Sequence, residues 1–283
     1  MRAGVLLVGL SLGASAPLSA QLGAIGAATG AAAVSTEEGI NSAPLLSESG
    51  LVLGDGWAVN AGFSLVETEV LLFDGFGGSE QATFSSTGLS VSGVFAPNPD
   101  LMLGATITPY LGVMLESPSG SSDDSGRGDA SLFAKYRAWR SQDGRSSFAA
   151  TGSVRLPVAS DGFGQEGASV GASGAISHRL GGGSPLTLHG SLGFSVPTNE
   201  DDGVTAVNFS GAGVYRTSER FAFSGELLGA SADGEYIVNL APGARISAGQ
   251  NWLVDLALAF NVGTSLEVSP FDYGFFVGGT YVP

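Results

Sequence analysis

From Trp57 to the C-terminus the chain alternates apolar and polar residues in long runs, and few folds can use that pattern. In NWLVDLALAF the residues Trp252, Val254, Leu256, Leu258 and Phe260 share one phase, while Asn251, Asp255 and Asn261 stand on the other. At 184–197, Leu186, Leu188, Leu192, Phe194 and Val196 oppose Thr187, His189, Ser191 and Ser195. At 144–158, Phe148, Ala150, Val154, Leu156 and Val158 oppose Ser147, Thr151, Ser153 and Arg155.

Roughly twelve such segments follow one another, near 57–72, 83–96, 100–115, 128–141, 145–158, 167–180, 184–197, 204–217, 219–231, 235–247, 250–263 and 271–283. Most are about 13 to 15 residues long, whereas soluble strands usually run about five or six and a tilted membrane strand needs ~9 to 11 for the hydrocarbon core. The links between them alternate in character. APNP, SQDG, GGGS, TS and AG are short; FDGFGGSEQ, ESPSGSSDDSGRG, ASDGFGQEG, PTNEDDG, ADGE and GTSLEVSP are mostly longer and acidic. Short periplasmic turns and longer outer loops are the habit of outer-membrane barrels. The pattern predicts an all-β fold over 57–283, a closed antiparallel up-and-down transmembrane β-barrel of about 12 strands.

Composition agrees with that class. The 283 residues include 45 glycines, only 13% are charged, and the net charge is −15 from 11 Lys+Arg and 26 Asp+Glu. A phosphate backbone needs a basic surface, so nucleic acid is not an expected partner. The chain has no Cys, which removes disulfides and thiolate chemistry.

The N-terminus reads as an export signal over residues 1–20: Arg2 precedes the apolar run AGVLLVGLSLG, too short to span a bilayer, and small residues follow it. Residues 21–56 form a separate segment, first LGAIGAATGAAA and then a polar stretch, read either as a flexible leader or as a plug in the lumen. Ser35 and Glu38 have the spacing of a helix capping box. The expected location is the outer membrane of a Gram-negative bacterium.

The stretch GRGDASLFAKYRAWRSQDGRSSFAATGSVRLPVAS, residues 126–160, resembles the outer-membrane β-barrel family named for a meta-pathway of phenol degradation. Gly126, Gly128 and Asp129 before one strand carry the likeness, with Lys135, Tyr136 and Arg137 on it and Val154, Leu156 and Pro157 on the next. Val158-Ala159 departs from the family's usual Thr-Gly, and the chain ends Tyr281-Val282-Pro283 where such barrels tend to finish on an aromatic residue. The resemblance implies a twelve-stranded barrel and a link to uptake of hydrophobic compounds; it carries no catalytic residues.

In a membrane barrel the less apolar phase faces the lumen. That phase gives Glu67, Glu69, Lys135, Arg137, Arg155, Arg179, Arg216, Glu226, Arg245, Asp255 and Asp272 as candidates for the lumen or a constriction, with a phase change needed to place Glu67 and Glu69. They fit two readings: paired charges that fill a polar interior, or a charged constriction that sorts solutes. Enzyme chemistry has little to stand on, since the two histidines, His178 and His189, fall on opposite phases of adjacent strands; His178 reads as interfacial and His189 as an ordinary lumen residue. No cofactor or metal site is expected. The expected function is passive diffusion of small solutes or hydrophobic, including aromatic, compounds through an outer-membrane channel. The alternatives are a structural or adhesive surface barrel and an exported soluble β-sandwich binding protein. Expected partners are outer-membrane lipids, a small solute and the barrel-assembly machinery.

Overall fold

A computed structural model of the chain describes residues 42–73, 79–165, 167–181, 183–198, 205–265 and 272–283. The export signal and the Ser35/Glu38 pair lie outside these residues. The strands are β1 (Gly56–Phe73), β2 (Ser79–Asn98), β3 (Leu101–Ser117), β4 (Gly120–Gly126), β5 (Ala130–Arg140), β6 (Ser146–Leu156) and β7 (Ser169–Arg179). They continue as β8 (Leu186–Pro197), β9 (Ala206–Arg216), β10 (Phe221–Ala232), β11 (Glu235–Ser247), β12 (Trp252–Thr264) and β13 (Tyr273–Tyr281). Every pairing is antiparallel, and β1 pairs β13 from Val59↔Tyr281 to Glu67↔Tyr273, so the sheet closes on itself. Closure leaves no long edge whose backbone groups would meet lipid unpaired.

The barrel has twelve staves, because β4 and β5 together make one. The lower part of β3 pairs β5 (Leu101↔Tyr136 to Ile107↔Ala130) and its upper part pairs β4 (Leu111↔Gly126 to Ser117↔Gly120). Between them Thr108, Pro109 and Tyr110 face residues 127–129, and the ladder is reduced there to the Gly128 amide donating to the Thr108 carbonyl at 2.8 Å. Pro109 has no N–H to give, which is the local reason for the break. A second interruption in wall pairing falls at Ala241-Pro242 on β11, between Leu240↔Phe260 and Gly243↔Ala257.

The ends of the barrel differ. One carries the turns at 99–100, 141–145, 180–185, 217–220 and 248–251, with the start of β1 and the end of β13; the other carries the β3–β4 hairpin and the 157–168 loop. One of its two-residue links, Asp233-Gly234, has φ 52° and 80°, the doubly left-handed turn that matches strand twist.

The two phases of each strand meet different surroundings. Exposed apolar side chains such as Leu132, Ile176, Leu192, Phe194, Phe223, Leu240, Leu258 and Val262 cover the outer wall. A soluble protein does not leave a belt of this extent in water; a bilayer solvates it. Trp57, Tyr136, Trp139, Tyr215, Trp252 and Tyr281 ring the short-turn end, and Tyr110, Tyr236 and Tyr273 the other, as aromatic girdles do at lipid–water boundaries. Tyr281 bridges Trp252 and Trp57, with ring centroids 4.9 and 5.7 Å away.

Candidate functional site: the barrel interior

Many inward positions are small: Ala149, Ala175, Ala206, Ala230, Ala257 and Ala259 are all buried. The room they leave is taken by the chain itself. Residues 42–54 run through the interior, with Leu51, Val52 and Leu53 at 2%, 1% and 0% exposure, and emerge at Asp55 to begin β1. Leu45 and Leu46 pack with Leu228, Ile237 and Ala241 from the wall, and Leu53 packs with Met102, Val94 and Leu253.

A segment enclosed by a closed sheet and outside its ladder needs side chains to satisfy its backbone. Glu226 does most of this: its carboxylate accepts the amides of Leu45 (2.6 Å), Leu46 (3.0 Å) and Ser47 (2.7 Å). Arg245 donates to the Ala43 carbonyl at 3.1 Å while forking onto Asp255 at 2.6 and 3.0 Å. The Gly50 amide donates to Ser177 Oγ at 2.8 Å. His189 Nε2 lies 2.9 Å from the Ser42 carbonyl, which only accepts, so Nε2 carries the proton and Nδ1 accepts from Ser177 Oγ at 2.7 Å. Glu48 takes the Thr151 and Ser173 hydroxyls, one on each carboxylate oxygen.

The structure separates the charged residues picked out from the sequence into groups. Lys135, Arg137, Arg155, Arg179, Arg216, Glu226, Arg245 and Asp255 lie on the inward phase. Of these, Glu226 and Arg245 grip residues 43–47, whereas Arg155 pairs with Asp129 at 2.8 Å in the upper wall. Asp129 also accepts the amides of Ala159 and Gln165, tying the 157–168 loop to the break between β4 and β5. Arg137 pairs with Asp100 at 2.9 Å near the short-turn mouth, where Arg179 and Arg216 end their strands.

Three residues lie elsewhere. Glu67 and Glu69 stand on the outward phase of β1, because Asn60, Val66 and Thr68 keep the even positions inward and no phase change occurs. Tyr273 donates to Glu67 on the outer surface. Asp272 is exposed at the long-loop rim, accepting the Glu69 amide at 2.9 Å. No ring of charge forms from the eleven. His178 is on the outer surface, beside Ser146 Oγ at 2.8 Å.

Sequence reasoning did not single out Glu48, Thr151, Ser173 or Ser177 as site residues. For Thr151 and Ser173 the signal was the register between hairpins: Lys135↔Thr151 and Thr151↔Ser173 are direct cross-strand partners, which puts three donors in one row facing the segment.

The sequence profile described as "Putative MetA-pathway of phenol degradation" matches residues 80–280. The chain belongs to this family. Its barrel is similar to the COG4313 outer membrane channel from Pseudomonas putida F1, with a TM-score of 0.60 and 14% identity over 82% of this chain and 97% of that one. It is also similar to the NanC porin (TM-score 0.53, 7% identity, 81% and 100% covered) and the KdgM porin (TM-score 0.50, 9% identity, 79% and 99% covered). No curated protein matches the sequence. At these identities the structural likeness establishes the fold: a closed twelve-stranded antiparallel barrel of the outer-membrane channel type.

Proposed function

We propose that this family member is an outer-membrane channel that passes small hydrophobic compounds, aromatic ones included, by passive diffusion, with residues 42–55 acting as a plug against free flow of water-soluble solutes. The single observation that carries the reading is the burial of residues 42–47 and 49–54 inside a closed barrel, held by wall side chains. A barrel so filled is a poor general pore. The family's description, with its reference to phenol degradation, supports an aromatic solute.

With the lumen filled, the wall supplies the second half of a route. The interruption at Thr108–Tyr110 opposite residues 127–129 is the seam through which a solute would leave sideways into lipid, and the Asp129–Arg155 pair stands directly inside it. The export signal over residues 1–20 belongs to the same proposal, delivering the chain to the outer membrane with its short turns facing the periplasm.

Proteoliposomes test this. Uptake of radiolabelled phenol and toluene should exceed that of empty vesicles, while a sugar of similar size should be excluded; deletion of residues 42–55 should admit the sugar and produce discrete steps in a planar bilayer. Equal passage of sugar and phenol through the intact chain would overturn the hydrophobic route, and passage of neither would make the barrel a structural one.

A further inference from the structure

One row of the inner wall offers more hydrogen-bond donors than the plug uses. Met102, Lys135, Thr151 and Ser173 are successive register partners on β3, β5, β6 and β7, so they stand side by side along one cross-strand row of the wall. Thr151 and Ser173 spend their hydroxyls on the two oxygens of Glu48. Lys135, 1% exposed, has no hydrogen-bond partner for Nζ among the described residues, although the charge of Glu48 acts on it. Buried polar atoms are rarely left this way unless something else is meant to meet them.

The surroundings of the row are two-sided. Its far end is apolar: Met102 is fully buried against Leu53, and Phe133, two residues from Lys135 on the same phase, packs on that cluster. Glu48 is also the one residue of 42–54 that is only partly buried. A cationic nitrogen and two hydroxyls beside apolar surface match an amphiphile with a carboxylate head.

We propose that the Lys135–Thr151–Ser173 row binds the carboxylate of an amphiphilic solute, and that Glu48 occupies it as the chain's own substitute until such a solute arrives. This rests on the channel reading and names a solute class and a trigger for it. The solute's carboxylate takes the two hydroxyls, gains the Lys135 donor that Glu48 leaves unused, and frees the 48–53 part of the plug. Glu226 keeps hold of residues 45–47.

The test uses the cysteine-free background. Ser49, buried at 1% in the part of the plug that is freed, is changed to Cys in the full chain, which is placed in phosphatidylcholine liposomes and labelled with a polar maleimide. Decanoate should accelerate labelling at least tenfold and decanol, with the same tail and no charge, should not. Lys135→Met should remove the acceleration while the barrel keeps its heat-modifiable gel migration, and Thr151→Val, which keeps shape and loses one donor, should reduce it. Glu48→Gln should raise the rate without decanoate. Equal acceleration by decanol, no acceleration by decanoate, or a decanoate effect that survives both Lys135→Met and Thr151→Val would overturn the site. The toluene uptake assay is independent of it: toluene uptake without a decanoate effect removes this site alone, and a decanoate effect without toluene uptake removes the hydrocarbon route alone.

Discussion

Glu226 Oε1 accepts the Leu45 amide at 2.6 Å across 181 positions of chain, and the same carboxylate takes the next two amides. Three successive N–H groups converging on one carboxylate fix the backbone of residues 45–47 as well as their position. The apolar contacts of Leu45 and Leu46 alone would let the segment slide.

Glu226→Gln is expected to loosen the plug while the barrel stays closed. The amide side chain keeps one acceptor oxygen and turns an NH₂ toward donors. With hydrogen bonds to charged groups worth about 1.5–3 kcal/mol, the open fraction should rise roughly ten- to a hundredfold. Limited proteolysis within residues 42–55, with barrel migration on unheated gels as the control, measures it; unchanged cleavage would mean that Glu226 does not hold the segment.

Gly50 is a separate handle. A Cβ there would lie 2.5 Å from the Ser147 carbonyl oxygen, 2.9 Å from the Ser177 amide nitrogen and 3.1 Å from the Ala175 carbonyl oxygen, all wall backbone that cannot rotate away. Gly50→Ala is expected to displace the segment from β6 and β7 and raise planar-bilayer conductance. A variant as silent as the parent would show that the wall yields at this point.

Arg245 and Asp255 are register partners on β11 and β12, and the pair is well buried. Arg245→Met leaves Asp255 uncompensated and releases the Ala43 carbonyl, so a loss of about 3–5 kcal/mol is expected. Adding Asp255→Leu should recover part of it, because an apolar pair of similar volume removes the stranded charge. Urea midpoints of the two variants in detergent read the difference; equal midpoints would contradict it.

The outer wall has its own test. Leu258 is 46% exposed near the middle of β12, and Val262 stands close to the long-loop end of the same strand. Leu258→Arg should destabilise the lipid-embedded protein by ~2–4 kcal/mol and Val262→Arg by ~0–1 kcal/mol. A soluble barrel would show no such dependence on height, and refolding equilibria in liposomes distinguish the two.

Much of the wall was legible because period-two alternation, segment length and link length are all written locally. The stave built from β4 and β5 was less so: its break depends on Pro109 across the ladder, and one strand's sequence does not show its neighbour's proline. Glu67 and Glu69 were misplaced because charge alone suggested an inward turn, whereas Thr68 and Val66 hold the phase. Residues 42–55 gave no period at all, since a segment bonded by side chains has no ladder to impose one. Glu48 and Lys135 are neighbours only after two hairpins have set their registers, which no window of sequence contains.

The seam between β1 and β13 bears on the order of assembly. These strands are the first and last of the barrel, so the ring closes only when the entire wall has been delivered. Residues 42–55 precede β1 and sit within that ring. A sheet that curls around a segment already laid against its concave face captures it at closure, with no free end to be drawn through a finished hoop. Filling the interior and shutting the wall are then one event in the full chain, while the β1–β13 pairing itself closes the hoop.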